Sequence, residues 1–586
     1  MHLSRRRPRV RLWTLASLLA LFGLLFVQTS SPAHAASAGS TQINSTHHGL
    51  AVGSTTTLPG GLRETLLAKA QPDECFAGVG LPYPALTDGT CPTGSQKKVN
   101  QAYVWGLARA GSTFWFGTAP NVHCLVIGSY LGFTTPLQTS SYVCEFGESQ
   151  YATQYNLPAT IGDWRPPHIY SYDLATKQLT DRSGMLGSRL NLTLGIRSAG
   201  ALNGVVFLAG PSLLQGGKSI DVYAFNAATG GVLGVWNLPQ YDNIRKWLVV
   251  NGVLYTAAHN VAGGGSVLRW TGNLPPSGTL SDASALLQPV GALNADGAEL
   301  ALHDGRIFVS TWPDLAKKTL AGLWMSPRIP KGGLTAADVA QWKQVWTVAD
   351  YEPDPVTAAT YGGGALVSYG GQLYWGTMHV PLVATLAHLQ TYGPPANTQA
   401  ALADIANTWR AVAIFRGKDF GTDKQKVQLL YGESRLPAYV PNVGWTLQPT
   451  KAGAPLYGHS GFGNLFNNYT WTMEVYRGQL FVGTMDWSYL FPDMIRGIAS
   501  YLNGTPLTSS QLHITLPTAG ADLYRFHSPG HAATAVSTNG LGNPTSYGIR
   551  TMLSSKDGLY LGMANPMNLL TTPGKPMGGW ELIRIR

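Results

Sequence analysis

Three arginines recur at equivalent places in the chain, as Ile196-Arg197, Ile244-Arg245 and Ile549-Arg550, with Glu299 near the matching place in a fourth segment. The planar guanidinium is the side chain best shaped for a two-pronged hold on a carboxylate, sulfate or phosphate. Burying charge costs about several kcal/mol unless it is paired. Arg197, Arg245 and Arg550, gathered with Glu299 around one channel, therefore predict an anionic ligand. A second column of residues ends the strand after each of these positions and reads Pro120, Pro211, His259, Pro313, His379, Asp486 and Asn565. His259 and His379 are candidate general bases, and Tyr469 is a candidate acid or nucleophile. Asp486 would orient them, and Asn565 adds a further polar group at the rim. β-Elimination beside a uronate asks for such a set: neutralisation of the carboxylate, a base, and an acid for the leaving oxygen. The same residues allow a plainer reading, in which the arginines pair with Asp486 or Glu299 and the histidines cap strand ends. A further segment, GHSGFGNLFNNYTWTMEV (458–475), sets His459 among glycines and asparagines as a candidate binding loop or, alternatively, a glycine-rich turn.

The elements that position these residues repeat seven times. Each repeat is a strand, a glycine-containing turn and an aliphatic-aromatic strand, as in NIRKWLVVNGVLYTAAHN (243–260) and YTWTMEVYRGQLFVGTMDW (469–487). Gly204, Gly252, Gly305, Gly371, Gly478 and Gly558 are read as the positive-φ residues of tight hairpins. A third short apolar strand follows each hairpin, from HIYSYD (168–173) to WELIRIR (580–586). Seven hairpins and seven following strands predict an all-β fold, a seven-bladed β-propeller with long loop insertions on its top face, over residues 62–586. Radial closure lets nearly 600 residues share one domain. The chain ends on a third strand, so a strand from residues near 62–68 (LRETLLA) is expected to complete the ring. The longest insertions, 120–166, 380–408, 432–468 and 486–520, all fall on the face where the inner strands begin. Function concentrates on such loops.

The stretch AFNAATGGVLGVW (224–236) resembles the A-x-D-x-x-T-G-x-x-x-W repeat of quinoprotein-like propellers, with Asn226 in place of the aspartate. That resemblance covers a single blade and implies blade-to-blade docking. It implies little about a quinone, and no adjacent cysteine pair is present.

Charged residues make up 12% of the chain and there are 69 glycines, a composition suited to tight turns between half-buried strands. The first residues, MHLSRRRPRVRLW, are basic, and an apolar run to about Val27 and the site Ala33-His34-Ala35 follow. Together they read as a signal peptide, residues 1–35. The expected localisation is secreted, with membrane contact only through the export signal. Its removal takes away five of the ten net positive charges, leaving too little basic character for nucleic acid. Residues 36–61 read as a flexible Gly/Ser/Thr linker. The four cysteines, Cys75, Cys91, Cys124 and Cys144, are even in number in an exported chain and read as two disulfides. Pairing of sequence neighbours, 75–91 and 124–144, is preferred among the three possible connectivities.

Three functions compete at this level. The leading one is an enzyme, lyase or hydrolase, acting on an acidic polysaccharide. At the level of architecture the chain is similar to several seven-bladed polysaccharide lyases. No sialidase S-x-D-x-G-x-x-W box occurs. The second is a non-catalytic module that binds an anionic glycan or another extracellular ligand. The third is a metal- or redox-dependent propeller using His259 and His379, although two histidines lack a third ligand and the cofactor stays unknown.

Overall fold

The computed structural model describes residues 51–586 apart from 140, 315–316, 493–518 and 573–574. The expected signal peptide, residues 36–50 of the expected linker and most of the insertion 486–520 lie outside the described residues.

The chain is a β-propeller. Strand pairing arranges the described residues as mostly antiparallel ladders of about four strands set side by side, one of them extended by a parallel fifth strand. Their innermost strands are Gln101–Ala110, Ser198–Leu202, Tyr241–Val250, Asp296–His303, Tyr361–Tyr369, Asn467–Tyr476 and Gly548–Ser555. Each innermost strand packs beside the next, and that of the seventh unit packs beside that of the first. Single bridges also tie one unit to its successor, such as Met485 to Gly548 and Ala564 to Tyr103.

Local sequence explains the hairpins. Asn203-Gly204, Asn251-Gly252, Asp304-Gly305, Gly370-Gly371 and Arg477-Gly478 all have two successive positive φ angles. That is the geometry that matches the right-handed twist of the flanking strands. Gly558 departs from the expectation, since its φ is not positive and it opens the strand Gly558–Ala564 instead. A second glycine signal lies mid-strand. A Cβ on Gly117, Gly376 or Gly483 would stand 2.1, 2.2 and 2.8 Å from Ile196, Thr470 and Ile549 of the next unit. These glycines let neighbouring sheets approach closely. The threonines that follow them, Thr118, Thr377 and Thr484, then tie strands together. Thr484 Oγ1 donates to Asn467 at 2.7 Å, and Thr377 Oγ1 accepts from Ala413 N–H at 2.9 Å.

The last unit takes its outer strand from the start of the domain. Arg63–Lys69 runs antiparallel to Glu581–Ile585, with Lys69 opposite Glu581. The ammonium of Lys69 meets the Glu581 carboxylate at 2.7 Å, both buried. The end of the expected linker belongs to this fold, because Thr55–Thr57 pairs with Arg63–Thr65 as a further strand. Threonines extend readily along an open edge.

On the face where inner strands begin, the long connections fold over the ring as a cap. The helix Val122–Leu131 buries Val122, Ile127 and Leu131 with Leu402, Trp409 and Trp487. Two disulfides, Cys75–Cys91 and Cys124–Cys144, staple this region with the expected pairing. Beneath them Lys98 bridges Glu74 and Glu145, each at 3.1 Å, and Arg165 meets Glu145 at 2.7 Å. Disulfides suit a non-cytoplasmic compartment. Among the described residues no helix is long and apolar enough to cross a membrane.

Candidate functional site at the channel

All three predicted arginines converge where the inner strands enter the ring. Arg245 and Arg550 are 4% exposed, and Arg197 is half-buried. Each guanidinium lies against an indole: Arg197 on Trp105 at 5.3 Å, Arg245 on Trp312 at 5.1 Å and Arg550 on Trp471 at 5.7 Å. Tryptophan offers a partly negative face to a cation. Glu299 meets Arg245 Nε at 3.4 Å and Lys246 Nζ at 3.9 Å. Buried Nε of Arg197, Nη2 of Arg245, and Nε and Nη2 of Arg550 make no hydrogen bond within the chain.

Electrostatics confirms the crowding. Burial, then Arg245 and Arg550, push the Arg197 guanidinium well below its ordinary range. Burial and Arg245 bring Arg550 down to about 10. Burial alone would raise the Glu299 carboxyl, but Arg245, Lys246 and Arg550 outweigh it and hold it low.

Above the arginines stand His259, Asp296, Tyr469 and Tyr130. His259 Nδ1 is 3.5 Å from Asp296 Oδ2, and its buried Nε2 has no partner. Burial and the charges of Arg197 and Arg245 lower this imidazole to about 3, so it is neutral. Burial, with Asp314 and Asp242 nearby, raises Asp296 to about 7. Burial likewise raises Tyr469, which feels Tyr130, Arg245 and Arg197. Tyr130 feels Arg197, Arg245 and Asp296, and its phenol is held above the usual range. Yet 49% of Tyr130 is accessible. Its ring is thus half-exposed and within electrostatic reach of Arg197 and Arg245.

Four predicted site residues lie elsewhere. His379 is buried against Tyr361, and its nearest charge is Arg410, which is bound to Glu352. It shares no surroundings with His259, so the two histidines cannot act as one metal or base pair. Asp486 holds a loop, accepting from Asn464 Nδ2 at 2.6 Å and Ser488 N–H at 2.7 Å. Asn565 is fully buried among Thr545, Met577 and Asn568. His459 is an outer-surface residue, 73% exposed, paired with Glu433 at 3.0 Å. Asp486 and Asn565 thus satisfy loop and neighbouring side-chain groups, as buried polar atoms must.

Sequence reasoning missed Tyr130 and Asp296. Tyr130 sits in the helix inserted after the second strand, in a loop already marked as long. Asp296 opens the inner strand that also carries Glu299, so its place in that column was the available signal. Among the described residues no group of three His, Cys, Asp or Glu side chains could hold a metal ion.

The sequence matches no family model and no curated protein. Solved structures do show likenesses. The propeller domain of the Trilobed protease from Pyrococcus furiosus is 8% identical, with 83% of this chain and 94% of that one covered and a TM-score of 0.31. A puromycin-hydrolyzing peptidase of Mycobacterium tuberculosis is 9% identical over 79% of this chain and 58% of its own, with a TM-score of 0.33. An α-L-arabinofuranosidase from Clostridium thermocellum is 13% identical over 59% and 96%, with a TM-score of 0.26. These likenesses concern strand arrangement and carry no residue of the site across.

Proposed function

We propose that this protein is an exported enzyme that binds the carboxylate or sulfate of an acidic glycan on Arg197, Arg245 and Arg550 and cleaves the chain by β-elimination. The observation that carries this reading is the set of buried guanidinium nitrogens without a partner in the chain. An anion there would supply the missing acceptors and offset the mutual repulsion of the three cations. Export is supported by the basic and apolar N-terminal sequence and the two disulfides.

The chemistry follows from the neighbours. Guanidiniums on the uronate carboxylate stabilise the negative charge that develops at the adjacent carbon as its C–H bond breaks. His259 Nε2 accepts that proton. As the new carbon–carbon double bond forms, the C–O bond to the leaving sugar breaks, and a phenol of Tyr469 or Tyr130 donates a proton to the departing oxygen. Both phenols are held above the usual tyrosine range and so stay protonated. His259 is a weak base in the free protein because burial, and then the charges of Arg197 and Arg245, disfavour its protonated form. A bound carboxylate offsets those two charges, so the substrate itself raises the basicity of the imidazole.

The test is to incubate the mature protein with a panel of uronate-bearing and sulfated polysaccharides and follow the ultraviolet absorbance of an unsaturated uronate. Product formation that vanishes in Arg245→Ala supports the assignment. Tight glycan binding without product would make the protein a non-catalytic recognition module. Absence of both would remove the acidic-glycan reading.

A further inference from the structure

Below the arginines the channel widens into a chamber of about 410 Å³. The innermost strands of all seven units line it, and Arg245, Glu299 and Arg550 form its roof. Arg197 is not part of its wall, so the arginine level divides the channel into two compartments of different character. The upper one is aromatic and polar, with Tyr130, Tyr469, His259 and Asp296.

The lower one is amphipathic. Every inner strand runs from the cap side toward its hairpin turn, so residues further along a strand lie deeper in the chamber. Arg245 is followed by Leu248 and Val249, Glu299 by Leu302, and Arg550 by Leu553. Four residues of strand span about 13 Å, so Arg245, Arg550 and Glu299 sit at one end, and the aliphatic side chains, with the Glu474 carboxyl among them, sit at the other. Val249 and Leu302 at the hairpin end are 46% and 39% exposed. The charged groups facing this space are Arg245, Arg550 and Lys246 against Glu299 and Glu474. Glu299 is already paired with Arg245 and Lys246. Glu474 accepts from Ser554 Oγ at 2.8 Å, and burial raises its carboxyl. The balance is cationic, and Nη2 of Arg245 with Nε and Nη2 of Arg550 are buried donors without acceptors.

The geometry points to a second ligand site in this lower chamber, for one amphiphilic carboxylate, its head under Arg245 and Arg550 and its aliphatic tail toward Val249 and Leu302. The chamber's volume of about 410 Å³ falls in the range of small-molecule pockets and leaves room for a medium-chain fatty acid. A bare inorganic anion would leave the aliphatic end uncovered, and a neutral alkane would leave the guanidiniums unsatisfied. The site is independent of the glycan reading in its walls and shares only Arg245 and Arg550 with it.

Calorimetric titration of the mature protein with decanoate tests this, alongside acetate, which lacks the tail, and decanol, which lacks the head. Trp105 and Trp247 border the chamber, so intrinsic fluorescence gives a parallel signal. Decanoate should bind, with acetate and decanol each weaker by about tenfold or more, the loss of about 1.4 kcal/mol. Leu302→Asp and Val367→Asp place a carboxylate in the tail region and should each weaken decanoate about tenfold or more. Neither variant should change binding of acidic glycan from above. Absence of decanoate binding overturns the proposal. So does decanoate binding unmoved by either wall variant and by Arg550→Gln, which would put the fatty acid elsewhere on the surface. Loss of glycan activity in the panel leaves this result standing, because the titration does not depend on it.

Discussion

The guanidinium carbon of Arg550 lies 5.7 Å from the centre of the Trp471 ring, and no acceptor in the chain meets its Nε or Nη2. An indole face returns only part of what a buried cation loses. A desolvated cation–π contact is worth about 2 kcal/mol, whereas stripping an ion of water costs about several kcal/mol. The arginine level of the channel is therefore a place where the fold gives up stability to hold charge ready.

That imbalance has a measurable sign. Arg550→Met keeps the length and apolar stem of the side chain and removes the charge, and it should stabilise the protein by about 1–4 kcal/mol. The same change should weaken the binding of an anionic ligand about tenfold or more. Denaturant titration and ligand titration of one preparation read both effects. A variant less stable than the parent would mean that Arg550 is a structural partner of Glu299 and not a binding group.

His259 offers a test of substrate-assisted basicity. Burial, Arg197 and Arg245 hold its imidazole at about 3 in the free protein. An anion seated on those arginines should raise it toward the ordinary value of about 6.5. Nuclear magnetic resonance of the histidine side chains, with and without galacturonate, reads the shift directly. Arg197→Ala should raise the value in the free protein as well, since it removes one of the two charges. An imidazole that ignores both the ligand and the substitution would take His259 out of the proton-transfer role.

The clasp that closes the ring carries a pH dependence of its own. Glu64, 2% exposed and close to Glu581, is raised to about 8, by burial first and then by that second carboxylate. Its folded value is above its unfolded one, so the native state favours the protonated form. The stability this group supports is complete below about pH 4.5 and is lost as pH rises through about 8. Glu64→Gln should therefore match the parent at low pH and exceed it by about 3–5 kcal/mol above pH 8. Thermal melts across that range check it. Parallel curves for the two proteins would show that the carboxyl is not held neutral in the fold.

Much of this arrangement was legible from residues alone. Turn pairs such as Asn251-Gly252 and the alternating strands around them marked the hairpins, and an unmatched last strand called for a partner near Arg63–Lys69. The arginines were legible because they sit on inner strands, whose position in a propeller is fixed by the repeat. The strand-exit column was not. His379, Asp486 and Asn565 share a sequence position with His259, yet at a strand end the side chain is free to turn. Local donors and acceptors, Asn464 for Asp486 and Thr545 for Asn565, decided the direction. His459 failed for a related reason, as a glycine-rich loop does not say which face it reaches. Tyr130 could not be placed without the fold of a long insertion whose helix is positioned by apolar contacts with distant loops.

The insertion that carries Tyr130 gives the last prediction. Cys124 lies in the first turn of the helix Val122–Leu131, and its bond to Cys144 closes a loop with a sequence separation of 20. A loop of that size is worth about 3 kcal/mol in the chain-entropy model. Tyr130 stands one residue from the end of the same helix and feels the charges of Arg197 and Arg245. The other bond, Cys75–Cys91, ties a short strand at Glu74–Phe76 that contributes no residue to the channel. Replacing either pair by serine should cost about 2–4 kcal/mol of stability. Only the Cys124/Cys144 replacement should also weaken anion binding, because it frees the helix that holds the tyrosine within electrostatic reach of the guanidiniums. Tyr130→Phe separates position from chemistry: it leaves the ring in place and removes the proton donor. If the tyrosine is the acid, Tyr130→Phe should lower turnover more than binding, whereas the serine pair should lower both. Equal loss of binding from the two serine pairs would place the helix Val122–Leu131 among purely structural elements and return the acid role to Tyr469.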